Sequence, residues 1–282
     1  MKKVGIVGGG NMGRGIAQTV AQFGLQAVLY DVLGSQLEGA REGISASLQK
    51  RVDKGKLLPQ ERDEIEARIQ YTEELERLSD CDVVVEAVVE RMEVKREIFC
   101  RLETIVSDTC ILATNTSSLS LTEIAQGMED PSRLVGIHFF NPVPAMKLVE
   151  LVRTPVVREE VVAAARAFTV SIGKTTITAK DTPGFVVNYL QYPFRLNAMR
   201  MVEMGLATPE DIDTAAKLAL GHPMGPLELQ DMVGLDVTYY ATSSIYEKTG
   251  EPALRPPDIL RRMVEEGKLG RKTGEGFYQY NK

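Results

Sequence analysis

Short, almost wholly apolar runs recur through the first two thirds of the chain, and polar stretches with helical spacing separate them. Apolar runs of this length favour strands that are buried on both faces of a sheet. Helical patterns at 92–106 and 121–127 separate the later runs. Strands that alternate with helices predict an α/β fold with a doubly wound, mostly parallel sheet. The predicted strands are 4–7, 27–30, 69–72, 82–87, 109–114 and 134–140.

Additional helices and strands modify this simple alternation. Residues 35–55 and a second stretch after Pro59 have helical patterns, so a helical insertion separates the second strand from the third. Two further strands are predicted at 146–152 and 174–179, and a helix at 158–172 lies between them. The predicted sheet is therefore larger than the one that a minimal strand–helix–strand unit forms.

A Pro-Gly pair at 183–184 marks a change in the pattern, because every later segment is helical. We therefore expect an α/β domain at 1–182 and a helical C-terminal domain at 183–282. The segment 185–204 is apolar almost all round and contains Pro193, which predicts a kinked helix that is buried on more than one side. Since one small domain cannot cover such a helix, we expect a homodimer that forms through the C-terminal domain.

Glycines follow the first predicted strand in the spacing G-x-G-x-x-G, as Gly8, Gly10 and Gly13. An amphipathic helical pattern at 14–23 comes next. In a strand–turn–helix unit of this kind, the glycines permit a tight turn, a close approach to a pyrophosphate, and close packing of the helix on the strand. The free N–H groups at the helix N-terminus attract the phosphates. The alternative is a glycine-rich turn in some other α/β protein.

An acidic residue, Asp31, ends the second predicted strand. It lies at about the distance from the glycines at which a carboxylate binds the adenosine ribose hydroxyls of a dinucleotide. The glycine motif and Asp31 together predict a Rossmann-type dinucleotide-binding domain.

Composition narrows the class of protein further. The chain has 282 residues, of which 44% are hydrophobic, and this is enough for two domains with their own cores. A formal net charge of −6 argues against nucleic acid or an anionic membrane as a partner. The three cysteines include no C-x-x-C pair, and the chain shows no signal-peptide pattern, membrane span or metal-ligand spacing. We expect a cytoplasmic protein with reduced thiols and no metal.

The chain has only two histidines, so there are few candidates for a general acid or base. His138 lies near the carboxyl end of a predicted buried strand, where open α/β sheets bind their ligands. Glu150 lies within an apolar run on the next predicted strand, and a buried carboxylate needs a partner. We expect a pair in which Glu150 orients His138 and stabilises its imidazolium form. A core histidine and a surface glutamate are the alternatives, and His222, in a turn-rich segment, is interpreted as structural.

Three further groups of polar residues are candidates for ligand binding. Residues 115–118, Asn-Thr-Ser-Ser, follow a predicted strand and suit either ligand contacts or a helix cap. Asn188 is the polar residue in the first turns of the apolar helical segment, where its amide needs a partner or a substrate. A basic cluster formed by Lys50, Arg51, Lys54 and Lys56 suits a phosphate-bearing substrate or a solvated helix face.

Taken together, these residues resemble the L-3-hydroxyacyl-CoA dehydrogenase family, in particular its short bacterial members that act on 3-hydroxybutyryl-CoA. The similar motifs extend over essentially the whole chain. They are Gly-Gly-Gly-Asn-Met-Gly at 8–13, Val-Glu-Ala at 85–87, Asn-Thr-Ser-Ser-Leu at 115–119, His-Phe-Phe-Asn-Pro-Val-Pro-Ala-Met-Lys-Leu-Val-Glu at 138–150, Asp-Thr-Pro-Gly-Phe-Val-Val-Asn at 181–188, Gly-His-Pro-Met-Gly-Pro at 221–226 and Lys-Thr-Gly-Glu-Gly-Phe-Tyr at 272–278.

The resemblance implies NAD-dependent oxidation of (S)-3-hydroxybutyryl-CoA to acetoacetyl-CoA and the reverse reduction. It implies a catalytic dyad of His138 and Glu150, with Ser117 and Asn188 contacting the acyl-CoA thioester. It further implies coenzyme A contacts from Ser47 and Lys54. Tyr189 departs from the family, which usually has arginine at this place. The implied NAD contacts are Gly8, Gly10, Asn11, Met12, Gly13, Asp31, Glu90, Lys95, Asn115 and Lys272.

Two other functions remain open at this point. A β-hydroxyacid or sugar-phosphate dehydrogenase shares the cofactor motif but typically uses a lysine base, which would leave His138 and Glu150 unexplained. A catalytically silent relative could serve as a structural or NAD-sensing protein, although the presence of both dyad residues argues against this.

Overall fold

A computed structural model describes residues 1–280 of the chain. Contacts divide it into two compact units, one formed by Met1–Thr182 and the other beginning at Pro183. In the described residues, no helix is both long and apolar enough to span a bilayer.

The first unit contains an eight-stranded sheet with the order β3-β2-β1-β4-β5-β6-β7-β8. All neighbouring strands are parallel except β6 and β7, and this confirms the predicted doubly wound, mostly parallel α/β fold. The strands are β1 (Lys3–Val7), β2 (Gln26–Tyr30), β3 (Ile69–Thr72), β4 (Val83–Glu86), β5 (Ile111–Thr114), β6 (Leu134–Phe139), β7 (Leu148–Arg153) and β8 (Thr175–Lys180).

The central strands of the sheet are buried on both faces, as the continuous apolar runs predict, whereas the edge strands β3 and β8 are partly exposed. Alternate residues of one strand enter different cores: Val83 and Val85 pack in one hydrophobic cluster, and Val84 packs in the other. Helices α1, α2, α3 and α6 contribute to the first cluster, and α4 and α5 to the second. These helices are α1 (Asn11–Gln22), α2 (Gly34–Asp53), α3 (Pro59–Ala67), α4 (Met92–Ile105), α5 (Leu121–Ile124) and α6 (Glu159–Ser171).

Two helices of the first unit differ from the sequence prediction by three residues at one end. Helix α1 begins at Asn11 instead of residue 14, because Gly13 belongs to its first turn and not to the loop before it. A side chain at Gly13 would place its Cβ 1.8 Å from the carbonyl oxygen of Gly8, so glycine is needed here for close packing. Helix α5 ends at Ile124, earlier than the predicted residue 127.

The second unit is helical, as predicted. Helix α7 begins at Val187, later than the predicted residue 185, because Phe185 has a φ of +47° that a right-handed helix does not allow. The prediction that this segment is buried on more than one side is only partly correct, since the side chain of Leu190 is 72% exposed within the single chain. The helices are α7 (Val187–Glu203), α8 (Pro209–Leu218), α9 (Pro226–Val233), α10 (Leu235–Thr249) and α11 (Asp258–Glu265).

Two buried aspartates of the second unit accept hydrogen bonds from residues 277–278. Asp231 accepts hydrogen bonds from the backbone N–H groups of Phe277 and Tyr278, and Asp213 accepts one from the Tyr278 hydroxyl. Burial raises the pKa of Asp231 above its usual value, and these hydrogen bonds oppose that effect. Residues 277–278 are therefore held against α8 and α9 by buried polar contacts.

All three cysteines carry free thiols, and Cys81 and Cys110 are buried. Burial raises the pKa of each of these two thiols to about 12. Both therefore remain protonated at neutral pH and behave as core residues.

Candidate active site

The glycine-rich turn between β1 and α1 lies at the carboxyl edge of the sheet. Gly8 has a φ of +110°, which side-chain-bearing residues rarely adopt, and it allows the sharp turn. Gly10 precedes helix α1 with no side-chain cap, so the first N–H groups of the helix are left to a ligand or solvent. A Cβ at Gly10 would meet nothing within 4 Å, so the chain leaves open space there. These features fit the pyrophosphate of a dinucleotide, with Asn11 and Met12 in the first helical turn.

Asp31 lies immediately after β2, beside the glycine-rich turn. Its Oδ2 accepts a hydrogen bond of 2.7 Å from the backbone N–H of Gly9, and its Oδ1 accepts one of 3.0 Å from Leu33. The carboxylate is thereby held next to the turn, in the position at which this fold binds an adenosine ribose.

A cavity of about 320 Å³ opens at the carboxyl ends of β4, β5 and β6. The strand order changes direction at β1 and β4, since the chain adds β2 and β3 on one side of β1 and β4 on the other. Ligands of open α/β sheets bind at such a switch point. The cavity is lined by Met12, Ala87, Val88, Glu90, Lys95, Asn115, Ser117, His138, Phe139, Phe140 and Asn141.

His138 and Glu150 are directly opposite each other in the antiparallel pair of β6 and β7. Opposed residues project to the same face of the sheet, and the imidazole Nδ1 is 2.7 Å from the carboxylate Oε2. Glu150 is fully buried and His138 is 6% exposed. A carboxylate at Nδ1 selects the ring tautomer and stabilises the imidazolium, so Nε2 is the nitrogen suited to exchange a proton with a ligand.

The loop after β5 brings two predicted site residues to the same cavity. The side-chain oxygen of Asn115 accepts a hydrogen bond of 2.9 Å from the backbone N–H of Phe139, which fixes the amide beside the His138 strand. The backbone N–H of Ser117 donates to Glu90 Oε1 at 3.1 Å. Asn115 and Ser117 therefore lie with His138 around one space.

Lys95 is almost fully buried between two carboxylates. Its Nζ is 2.6 Å from Glu86 and 3.2 Å from Glu90. Burial acts to raise the pKa of Glu90, but the Lys95 charge and the hydrogen bonds from Thr116 and Ser117 outweigh it and lower that pKa below its usual value. Glu90 is therefore ionised at neutral pH.

The proposed coenzyme A residues lie along helix α2. Ser47 is partly exposed, and Lys54 is exposed at the C-terminal cap of the helix. Seven residues span two turns of a helix, so the two side chains lie on one face about 10 Å apart. Among the described residues, Lys54 forms no ion pair with a carboxylate, which suits an anion contact.

The second unit contains two predicted ligand-binding residues, Asn188 and Lys272, and the histidine that is interpreted as structural, His222. Asn188 is in the first turn of α7, where its side-chain oxygen accepts a hydrogen bond from Gln191. Lys272 Nζ is 2.6 Å from both carboxylate oxygens of Asp236. Ligand contacts from Asn188 and Lys272 remain predictions. His222 stacks on Phe194 with a centroid distance of 4.8 Å, in keeping with a structural role.

Sequence reasoning missed two carboxylates of the first unit that hold neighbouring segments in place, and one of them, Glu86, supports the site. Glu86 was part of a recognised motif but was given no role, although a glutamate at the end of the run Val83–Glu86 signals a buried charge that needs partners. Asp181 follows β8 and accepts hydrogen bonds from the backbone N–H groups of Leu121 and Thr122, which fastens the start of α5. Its partners are distant in sequence, so no local pattern revealed them.

Models of one protein family match the sequences of both units. Residues 3–182 match the 3-hydroxyacyl-CoA dehydrogenase, NAD binding domain, and residues 184–280 match the 3-hydroxyacyl-CoA dehydrogenase, C-terminal domain.

Individual relatives extend over the whole chain. A 3-hydroxybutyryl-CoA dehydrogenase from Mycobacterium tuberculosis is 44% identical over 282 residues, covering 99% of each chain. The human mitochondrial hydroxyacyl-coenzyme A dehydrogenase is 42% identical, covering 99% of this chain and 91% of the relative. The crystal structure of (S)-3-hydroxybutyryl-CoA dehydrogenase from Ralstonia eutropha is 40% identical, with a TM-score of 0.97 and full coverage of both chains. The glycine-rich turn, the buried histidine–glutamate pair and these full-length matches establish that the chain belongs to the 3-hydroxyacyl-CoA dehydrogenase family, whose N-terminal domain binds NAD.

Proposed function

We propose that the protein catalyses the NAD-dependent oxidation of (S)-3-hydroxybutyryl-CoA to acetoacetyl-CoA, and the reverse reduction. The observation that carries the proposal is the buried His138–Glu150 pair, which lies at the cavity that Asn115 and Ser117 also line. Relatives named for this substrate are similar over their full length, which supports the same substrate class here.

The proposed chemistry needs a base at the substrate hydroxyl. Bound NAD supplies the acceptor for the hydride that leaves the substrate carbon. Neutral His138 removes the hydroxyl proton, and Glu150 stabilises the imidazolium that results. In the reverse direction, the His138 imidazolium donates the proton to the ketone oxygen. Reduction therefore consumes a proton, and a lower pH favours it.

Ser117 and Asn188 are proposed to hold the oxygens of the acyl group by hydrogen bonds, because the reacting carbon must be presented to the cofactor on one face. Asn115, Glu90 and Lys95 would bind the cofactor beside them.

The two units are proposed to have separate tasks. Residues 1–182 bind NAD and, through Ser47 and Lys54 on α2, the phosphates of coenzyme A. Residues 183–282 contribute Asn188 and Lys272 and form the interface of a homodimer. We propose that the protein works in the cytoplasm.

An absorbance assay with acetoacetyl-CoA and NADH tests the proposed function. We expect NADH to be consumed only when acetoacetyl-CoA is present, with (S)-3-hydroxybutyryl-CoA as the product. Free acetoacetate and a sugar-phosphate ketone serve as controls and should give little turnover. No turnover with acetoacetyl-CoA would indicate a silent relative, and faster turnover of a control ketone would indicate another dehydrogenase activity.

A further inference from the structure

Glu86, the last residue of β4, is fully buried and has three hydrogen-bond donors around it. Its Oε1 accepts from the backbone N–H of Val88 at 2.7 Å and from Lys95 Nζ at 2.6 Å. Its Oε2 accepts from the Thr114 hydroxyl at 2.7 Å. Burial deprives the Glu86 carboxylate of the water that stabilises its charge. The three donors, one of which is charged, replace that water, so the buried carboxylate is tolerated.

Glu90 extends this network to the cavity. Its Oε2 is 3.2 Å from Lys95 Nζ, and its Oε1 accepts hydrogen bonds from the Thr116 hydroxyl and from Ser117. The Glu90 side chain is 38% exposed, whereas Lys95 is 1% exposed. Lys95 is thus enclosed between a buried carboxylate and one that lines the cavity with His138.

Glu86, Glu90 and Lys95 form a cluster of two carboxylates and one ammonium group, whose net charge is one negative charge. Glu90 and Lys95 alone would make a neutral pair, so the excess charge depends on Glu86. Buried charges are screened less by salt and solvent than surface charges are. The excess charge therefore acts on whatever occupies the cavity.

We propose that Glu86 tunes the ratio of the two cofactor affinities, by strengthening the binding of NAD+ relative to that of NADH. The inference rests on the proposed function, because hydride transfer requires the nicotinamide to lie in the cavity that His138 and Glu90 share. The nicotinamide ring is cationic in NAD+ and neutral in NADH. A net negative cluster beside it attracts the cation and leaves the neutral ring unaffected, so the glutamate strengthens NAD+ binding relative to NADH binding.

Equilibrium binding tests this without relying on turnover. Dissociation constants for NAD+ and NADH are measured by titration calorimetry on the wild type and on Glu86→Gln, at one pH and low salt. Glutamine keeps the size of the side chain and can still accept a hydrogen bond from Lys95 or Val88, but it makes the cluster neutral. We expect the ratio of the NAD+ constant to the NADH constant to rise roughly tenfold, mainly through weaker NAD+ binding.

Two further variants separate charge from structure. Glu97→Gln removes a carboxylate from the same helix α4, but Glu97 is exposed to solvent, so the ratio should not change. The double variant Glu86→Gln, Lys95→Met leaves Glu90 as the one charge of the cluster and restores the net charge. We expect it to bind both cofactor forms more weakly, with a ratio close to that of the wild type.

Specific outcomes overturn the inference. If Glu86→Gln weakens both forms by the same factor, the glutamate only positions the loop. If Glu86→Gln does not fold, the ratio is measured on Lys95→Met, which keeps Glu86 and makes the cluster more negative. A ratio that does not fall in this variant would show that the charge of the cluster is not the determinant. Failure of the wild type to bind either form would instead contradict the proposed function.

Discussion

The register of β6 and β7 places His138 beside Glu150, and each side chain provides the hydrogen-bond partner that the other needs. A glutamate with no exposed surface would destabilise the sheet without a donor, and the imidazole Nδ1 at 2.7 Å is that donor. The contact could be predicted from sequence because a carboxylate stands inside an apolar run. The position of Glu86 at the end of an apolar run likewise indicates a buried charge. No sequence pattern, however, identifies Lys95 on the following helix as its partner.

Asp31 is predicted to set the preference for NAD over NADP. Its carboxylate is held beside the glycine-rich turn by Gly9, where ribose hydroxyls would donate to it and a 2′-phosphate would be repelled. Asp31→Ser should weaken the use of NADH and improve that of NADPH, with turnover at saturation nearly unchanged. Values of kcat/KM for both cofactors with acetoacetyl-CoA at one pH test this. Equal wild-type values for NADH and NADPH would show that Asp31 does not determine the choice.

At the scale of elements, two glycines at the junction of β1 and α1 are predicted to have different roles. Gly13 is needed for folding, and Gly10 is needed for cofactor binding. Gly13→Ala would force its Cβ to 1.8 Å from the Gly8 carbonyl oxygen, whereas at Gly10 a Cβ meets nothing within 4 Å. We therefore expect Gly13→Ala to lower the melting temperature markedly. Gly10→Ala should fold almost as the wild type does but bind NADH weakly, because the methyl group would occupy the space for the pyrophosphate.

Thermal melts and NADH titrations on both variants check this contrast. Wild-type NADH affinity in Gly10→Ala would mean that the cofactor does not approach this turn. An unchanged melting temperature in Gly13→Ala would mean that the helix can move away from the strand at little cost.

Helix α2 is predicted to bind the nucleotide end of coenzyme A. Lys54→Ala should raise KM for acetoacetyl-CoA several-fold, because a charge-assisted phosphate contact is lost, and should leave KM for a truncated thioester without the nucleotide unchanged. Lys2→Ala, which removes another exposed lysine of the same unit, is the control. Equal effects of Lys54→Ala on both substrates would assign the basic cluster to a solvated helix face.

The strands were more predictable than the ends of the helices. Apolar runs identified the central strands of the sheet, because burial on both faces leaves a continuous signal. The edge strands β3 and β8 are more polar and partly exposed, so their signal is weaker. The direction of β7 did not follow from its composition, since an apolar strand looks the same in either direction; the short connection 140–147, which leaves no room for a crossover helix, produces the antiparallel pair. The start of α1 was misplaced because Gly13 lies inside the helix.

At the scale of the whole molecule, exposed apolar side chains of the second unit support the predicted homodimer. Leu190 on α7 is 72% exposed and Leu218 on α8 is 84% exposed. Light scattering at micromolar concentration should give twice the 31.1 kDa of one chain. Leu190→Arg should shift the mass towards the monomer, whereas Leu58→Arg, at an exposed leucine of the first unit, should not. A wild-type mass near that of one chain would contradict the prediction.

Long-range polar contacts are the part of the molecule that sequence patterns revealed least. Asp181 fastens α5, and Asp231 fastens the segment that follows Gly276, across separations at which no periodicity links the partners. Apolar periodicity reports burial, but it does not report which buried donor meets which acceptor.

The turnover number of His138→Ala, measured beside Glu150→Gln and the wild type with acetoacetyl-CoA and NADH, tests the central claim most directly. Removal of the imidazole should lower kcat by roughly 10²- to 10⁴-fold, the usual contribution of a positioned acid or base. Glu150→Gln should also lower kcat strongly while substrate binding is retained, because an amide donates to the imidazole and stabilises the wrong tautomer. If folded His138→Ala keeps most of the wild-type kcat, the His138–Glu150 pair is not the group that transfers the proton.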